Sequence, residues 1–244
     1  MKILVSTDDG MNEKNFKVLK KALKKYGEVI SVAGVTGVSA MSHSINLNRP
    51  LMFKEIAKNE YVTDATPVDN IRLSLSILPF KPDLIVSGVN NGLNIGTDLY
   101  YSGTCAIARE GLIHSIPSIA ISADRDDKEK VKRELPSLLE FIFSNKLYSS
   151  EYFLNINFSN IENNSSKGYK ITKLGDKIFN TRFKLLDNDK YITEHDEILE
   201  DMDVESDVKS ARMGFISITP IGMSSLSNHY YELKECYNDK GRNA

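Results

Sequence analysis

Two adjacent carboxylates, Asp8-Asp9, follow the apolar run Lys2-Ile3-Leu4-Val5-Ser6, with Gly10 directly behind them. Acids placed side by side at the end of a strand repel unless a cation neutralises them, so the pair points to a bound divalent metal. Oxygens able to complete such a site recur in two later segments. One is the polar loop Ser39-Ala40-Met41-Ser42-His43-Ser44; the other runs from Gly88 to Thr104 and carries Asn90, Asn91, Asn94 and Ser102-Gly103-Thr104. Carboxylate, hydroxyl and carboxamide oxygens suit a hard cation, Mg2+ or Mn2+, better than a soft one. A helix opening at Ser102-Gly103-Thr104 would aim its first N–H groups and the positive end of its dipole at an anion. The expected chemistry is metal-assisted attack of water on a phosphomonoester.

Each signal also has a plainer reading. Asp8-Asp9 could serve only to cap the helix that follows. A receiver domain or a haloacid-dehalogenase-type phosphatase also places acids after a first strand. The former wants an accepting Asp after its third strand and the latter a D-x-D spacing, and neither fits. His43 alone reads more readily as a surface or hydrogen-bonded loop histidine than as a catalyst, and its place beside Ser42 and Ser44 in a converging loop brings the two readings level. His114, His195 and His229 read as structural or solvated. Ser102-Gly103-Thr104 could be an ordinary cap, and Cys105 beside it a small buried residue, since no paired base is evident.

The elements that must position these groups follow from periodicity. Residues 2–6 read as a buried strand, and 12–26 as a helix with Phe16, Leu19, Leu23 and Tyr26 on one face and Gly27 just past its end. Residues 29–33 form the next strand, giving β-α-β with a parallel crossover. Short β-like pieces over 45–63 suggest a hairpin. Thr66, Pro67 and Asp69 read as N-cap, N1 proline and first-turn acid of a helix reaching about residue 78. Leu84-Ile85-Val86 is a short strand that breaks into a glycine and asparagine loop from Gly88, followed by the helix from Ser102. Residues 117–122 are a strand, and 127–146 a helix that Pro136 should kink or split. Later, 152–158, 169–172 and 214–220 read as strands, 187–209 as an irregular acidic excursion and 224–237 as a terminal helix. The three polar segments thus converge on the carboxyl edge of a parallel sheet, where α/β folds bind ligands. The fold expected is a three-layer α/β fold, mostly parallel, with a β-rich C-terminal elaboration over about 150–244 on a core of about 1–125.

Apolar residues make up 41% and charged residues 26% of the 244, as in an ordinary globular protein large enough for one sizeable α/β domain. A net charge of −2 gives no electrostatic case for a nucleic-acid polymer or an anionic membrane surface. No run approaches the ~18 apolar residues of a membrane helix, and the N-terminus does not read as a signal peptide. Cys105 and Cys236 show no metal spacing, and a reducing cytoplasm fits best.

Taken together, several segments resemble the SurE family, the stationary-phase survival proteins that act as metal-dependent nucleotide phosphatases. They are the DDG of 8–10, SxxxHSI over 39–45, TPxD over 66–69, SGxNxGxNxGxDxxYSGT over 87–104, and SITPI over 217–221. The resemblance covers most of the first 125 residues and returns near the end. It implies that Asp8, Asp9, Ser39 and Asn90 hold the metal, with the two acids positioning or deprotonating the attacking water. It implies that Asn94, Ser102, Gly103 and Thr104 contact the phosphate, and that His43 sits near the leaving oxygen or behind it. It further implies a Rossmann-like core, a homodimer or homotetramer with exchanged C-terminal elements, and nucleoside 5′- or 3′-monophosphates as substrates. This chain departs from the pattern at Thr7, where the family usually has asparagine, and at Gly34-Val35-Thr36-Gly37-Val38, which lacks the usual proline, acid and arginine. Ala65 and the tyrosine- and arginine-poor stretch 185–196 also differ. A phosphatase for another small phosphate ester or short polyphosphate, and a nucleotide-binding homologue with little turnover, remain alternatives.

Overall fold

The structure is a computed structural model in which residues 1–124, 128–159, 165–197, 201 and 203–223 are described. The expected terminal helix, with His229 and Cys236, lies outside those residues, as do the asparagines of the 160–164 loop.

In chain order, β1 (Lys2–Thr7) leads into α1 (Lys14–Leu23) and β2 (Glu28–Gly34). The hairpin β3 (Phe53–Ala57) and β4 (Glu60–Thr63) turns at Asn59, whose positive φ of 63° suits asparagine. Next come α2 (Pro67–Ile77), β5 (Leu84–Asn91), a 3-10 turn over Gly96–Tyr100, α3 (Gly103–Ile113) and β6 (Ser118–Ala123). The chain continues through α4 (Lys128–Ser144), β7 (Tyr152–Asn157), β8 (Tyr169–Ile171), β9 (Phe179–Leu185) and β10 (Tyr191–Glu197), then α5 (Asp207–Arg212) and β11 (Ile216–Gly222).

Among the described residues the strands form a nine-stranded sheet in the order β3-β4-β2-β1-β5-β6-β7-β11-β8, plus the separate antiparallel pair β9-β10. From β4 to β7 every neighbouring pair is parallel, while β3 and β11 run against their neighbours β4 and β7. The architecture is α/β with a mostly parallel sheet between helices. On one face Ile3 and Val5 of β1 pack with Phe16, Leu19 and Leu23 of α1 and with Leu135, Leu138 and Ile142 of α4; Tyr26 stacks on Phe143 at 3.9 Å. On the other, Leu4 packs with Ile71 of α2 and Ile107 of α3. The alternation of Ile3, Leu4 and Val5 between the layers is the two-residue period of a strand buried on both sides. β1 lies at the point where strand order diverges, with β2 on one side and β5 on the other, so a crevice opens beyond its carboxyl end.

Several boundaries differ from expectation for local reasons. α1 is shorter, because the Glu13 side chain accepts from Asn15 N–H and takes the cap; Gly27 is not its C′ residue but lies against the Met1 carbonyl. β5 does not end at Val86. It runs to Asn91 through a register shift, so that Asn90 and Asn91 pair with Ser122 and Ala123. Gly88 makes the irregularity possible: its φ is +112°, and an added Cβ would stand 2.1 Å from the Ile121 carbonyl oxygen. Pro136 does not split α4, which is continuous. The acidic stretch 187–209 is not irregular throughout. It holds β10, which pairs with β9 across a turn at Asn188-Asp189, and the start of α5, capped by Ser206 accepting from Lys209 N–H.

Candidate metal and phosphate site

Asp8 and Asp9 leave β1 and enter the crevice. Val38 N–H donates to the Asp8 carbonyl at 2.8 Å, tying the loop that carries Ser39 to the acid pair. Thr7 is fully buried and its hydroxyl accepts the Asp9 N–H at 3.1 Å. The Asp9 carboxylate in turn accepts the Asn91 N–H at 2.9 Å. Its position is therefore fixed from β1 and from the end of β5.

Asp8 is buried against the start of α3. The Thr104 hydroxyl donates to its Oδ1, and Gly103 lies so close that an added Cβ would stand 2.7 Å from its Oδ2. Gly103 is thus needed for close approach rather than for turn geometry. Burial pushes the Asp8 carboxyl up to about 6, and the neighbouring Asp9 charge adds to the rise; the Thr104 hydroxyl and the backbone hydrogen bonds hold it down. Cys105 is buried, and burial pushes its thiol up to about 12, so it is a neutral packing residue.

Asp8, Asp9, Ser39, Asn90, Asn94 and Ser102 line one cavity of about 350 Å³. Asn90 Nδ2 donates to the Gly92 carbonyl at 2.7 Å, which leaves its Oδ1 as the acceptor. Asn94 is held from three sides: its N–H donates to Asn157 Oδ1, its Nδ2 donates to Ser122 Oγ, and its carbonyl accepts from Asn155 Nδ2. Ser102 Oγ accepts the Cys105 N–H at 3.1 Å as the cap of α3, so its own hydroxyl proton is free to donate elsewhere.

Gly103, Thr104 and His43 do not line the cavity. The first two face Asp8. His43 Nε2 bonds Glu110 of α3 at 2.9 Å, and Ser42 next to it bonds Tyr100 and Tyr101 through its hydroxyl and N–H. Glu110 is also within 3.3 Å of His114, and His43 Nδ1 has no partner among the described residues. Burial raises the Glu110 carboxyl, but the hydrogen bonds and charges of His43 and then His114 together outweigh it and leave the carboxyl below its ordinary value.

Other residues at the site were given no role from sequence, although Asp98 and Tyr101 stand inside the 87–104 motif. Asp98 and Tyr101 also line the cavity, and Lys177 pairs with Asp98 at 2.6 Å. Asp207, within the acidic stretch, is fully buried; its carboxylate accepts the N–H groups of Gly96, Gly175 and Val208, and burial raises its pKa. The only local signal for Asn155 and Asn157 is their two-residue spacing in an otherwise apolar strand, where asparagine is disfavoured.

The donor set fits a hard divalent cation. Among the described residues no trio of His, Cys, Asp or Glu is placed to hold a metal. What Asp8, Asp9, Ser39 and Asn90 offer on the cavity wall is two adjacent carboxylates, one hydroxyl and one carboxamide oxygen, all oxygen and half of them neutral.

The family model for "Survival protein SurE" matches residues 3–181. The 5′-nucleotidase SurE of Thermosipho melanesiensis is 35% identical over 252 residues, which span 98% of this chain and 99% of that protein. The 5′-nucleotidase SurE of Clostridium botulinum strain 657 is 35% identical over 235 residues, 91% and 92% of the two chains. The crystal structure of the SurE protein from Aquifex aeolicus superposes with a TM-score of 0.83 at 29% identity, covering 98% of this chain and all of that one.

Proposed function

This chain belongs to the SurE family, and from that footing we propose that it hydrolyses nucleoside 5′- and 3′-monophosphates to nucleoside and phosphate with one divalent cation, Mg2+ or Mn2+. The observation that carries the reading is the placement of Asp8 and Asp9 beside Ser39 and Asn90 around one cavity at the carboxyl edge of the sheet. Asp8, Asp9, Ser39 and Asn90 would hold the cation, which supplies Lewis-acid polarisation of a phosphoryl oxygen.

The protein's own groups do the rest. Asp9, fixed by the Asn91 N–H, orients the attacking water and takes its proton. Ser102, whose Oγ is occupied as an acceptor, donates its hydroxyl proton to a phosphoryl oxygen. Asn94 shapes the wall of the phosphate end. Gly103 and Thr104 act one step back, by holding Asp8 at the start of α3. His43 braces the Ser39 loop against α3 through Glu110.

Charge favours a monoester over a polyphosphate. The cavity is lined by three carboxylates, Asp8, Asp9 and Asp98, and by no lysine or arginine. Beyond the bound cation and Lys177, which is already paired with Asp98, a chain of phosphates would meet that field without further compensation.

No helix among the described residues is long and apolar enough to cross a membrane, and we place the enzyme in the cytoplasm. We also assign it a homo-oligomeric state, a dimer or tetramer. In the β9-β10 hairpin Phe183, Leu185 and Tyr191 are each more than half exposed, and a two-stranded hairpin is marginal alone.

The deciding experiment is phosphate release from a panel of nucleoside monophosphates with Mn2+, with Mg2+ and with EDTA. Turnover that needs the metal and falls at least about 1,000-fold in Asp9→Asn is expected. Folded protein that releases no phosphate with either metal would refute the assignment.

A further inference from the structure

A second cavity, of about 830 Å³, adjoins the first. The two share Ala40, Asp98 and Tyr101. Asp8, Asp9, Ser39, Asn90 and Ser102 line the first but not the second, whose wall is completed by Thr97, Lys177, Ile178, Phe179 and Thr181. A nucleoside monophosphate has the same order of parts: phosphate, sugar, flat apolar base. With the phosphate among Asp8, Asp9 and Ser102, the base reaches the Ile178 and Phe179 wall. The sugar then falls at the shared residues, where Asp98 is the one charged group.

Asp98 is built in rather than loosely exposed. Its carbonyl accepts the N–H groups of Tyr101 at 3.1 Å and Ser102 at 3.2 Å, which locks it to the cap of α3. Its Oδ2 takes the Lys177 ammonium at 2.6 Å, and the two side chains are only 24% and 16% exposed. Lys177 is held as well: its carbonyl accepts the Thr97 hydroxyl, and the buried Asp207 carboxylate joins Gly96 to Gly175 on either side of the pair. An acid whose orientation is set by a lysine on one oxygen, and which faces a sugar-sized space, is a receptor for vicinal hydroxyls.

We propose that Asp98, oriented by Lys177, accepts hydrogen bonds from the ribose hydroxyls that the phosphate leaves free, the 2′ and 3′ pair in a 5′-monophosphate, and makes the enzyme select ribonucleotides; the inference rests on the nucleotidase reading above. Asp98 touches substrate in this scheme, while Lys177 is a positioning residue. A carboxylate desolvated by a bound sugar that lacks the hydroxyls is left unpaired, and this is where the discrimination arises.

The test compares kcat/KM for adenosine 5′-monophosphate and its 2′,3′-dideoxy analogue at saturating Mn2+. Wild type should favour the ribonucleotide by at least about tenfold. In Asp98→Ala that ratio should fall to within about twofold of one. Lys177→Met should lower the ratio as well, and Lys177→Arg should restore it. Equal values in wild type overturn the proposal. So does a parallel fall of both substrates in Asp98→Ala, which would make Asp98 structural only. Should the variants not fold, inhibition of wild type by adenosine against 2′,3′-dideoxyadenosine decides, with equal inhibition overturning it. Absence of turnover with every nucleotide, beside hydrolysis of p-nitrophenyl phosphate, would instead sink the nucleotidase reading and this inference with it.

Discussion

Asp8 holds its charge at a thermodynamic disadvantage. Burial beside Asp9 lifts its carboxyl from 3.8 to about 6, so the folded chain without metal holds that proton more tightly than the unfolded chain does. Its contribution to stability is therefore best below about pH 4 and declines as pH rises to about 6. Above that the full deficit, on the order of 3 kcal/mol, persists. A cation in the cavity would remove the deficit, and Asp8→Asn would remove it without one. In EDTA at pH 7.5 we expect Asp8→Asn to melt roughly 3–8 °C above wild type while losing turnover. Differential scanning calorimetry decides, and a lower melting temperature would contradict this account of the site. The acids themselves were legible, because their place at a strand end is a local pattern. Their supports were not: Thr104 lies 96 residues from Asp8, and no spacing rule announces such a pair.

At the level of elements, the segments with local chemistry were read well and those held by distant partners were not. α2 begins where Thr66 and Pro67 say it should, with the Thr66 hydroxyl accepting the Asp69 N–H at 3.1 Å. The extension of β5 past Gly88 depends on pairing with β6, and β10 hides among acids because its pairing with β9 outweighs their poor strand preference. The 3-10 turn over Gly96–Tyr100 is held from outside. Asp207 anchors Gly96, and Ile95 packs on Val208 and Ala211 of α5. Removing that carboxylate leaves buried N–H groups unsatisfied, so Asp207→Ala should lower stability by about 3 kcal/mol. Hydrogen exchange should quicken first at residues 96–101. A variant with unchanged exchange there would show that the turn stands without its anchor.

On the scale of the molecule, the alternation of strand and helix dictated a mostly parallel sheet, and β1 at its divergence point put the acids at the crevice. The join of β7, β11 and β8 to that same sheet was not visible, since which strand a later segment pairs with, parallel for β7 on β6 and antiparallel for β11 on β7, leaves no periodic mark. The β9-β10 hairpin is two-sided: Phe183, Leu185 and Tyr191 share one face by register, while Lys184 pairs with Glu194 on the other. Phe179 lies on the apolar face and also lines the second cavity. A second copy seated on that face would wall the nucleotide's base. We expect light scattering to report an oligomer for wild type and a smaller species for Phe183→Glu combined with Tyr191→Glu, with a several-fold higher KM. A variant of unchanged mass would remove the hairpin from the interface.

The Asp207 tether has one more consequence, in the time order of synthesis. Gly96 is made 111 residues before the carboxylate that holds it. At ordinary elongation rates the gap is roughly 5–20 s. During that interval the nascent chain already carries both acids, Ser39 and Asn90, but not the clamp on the turn that leads into α3. The enzyme is born with its chemical groups early and its geometry late, so truncated or stalled chains ending before Asp207 should carry all four proposed ligands and little activity.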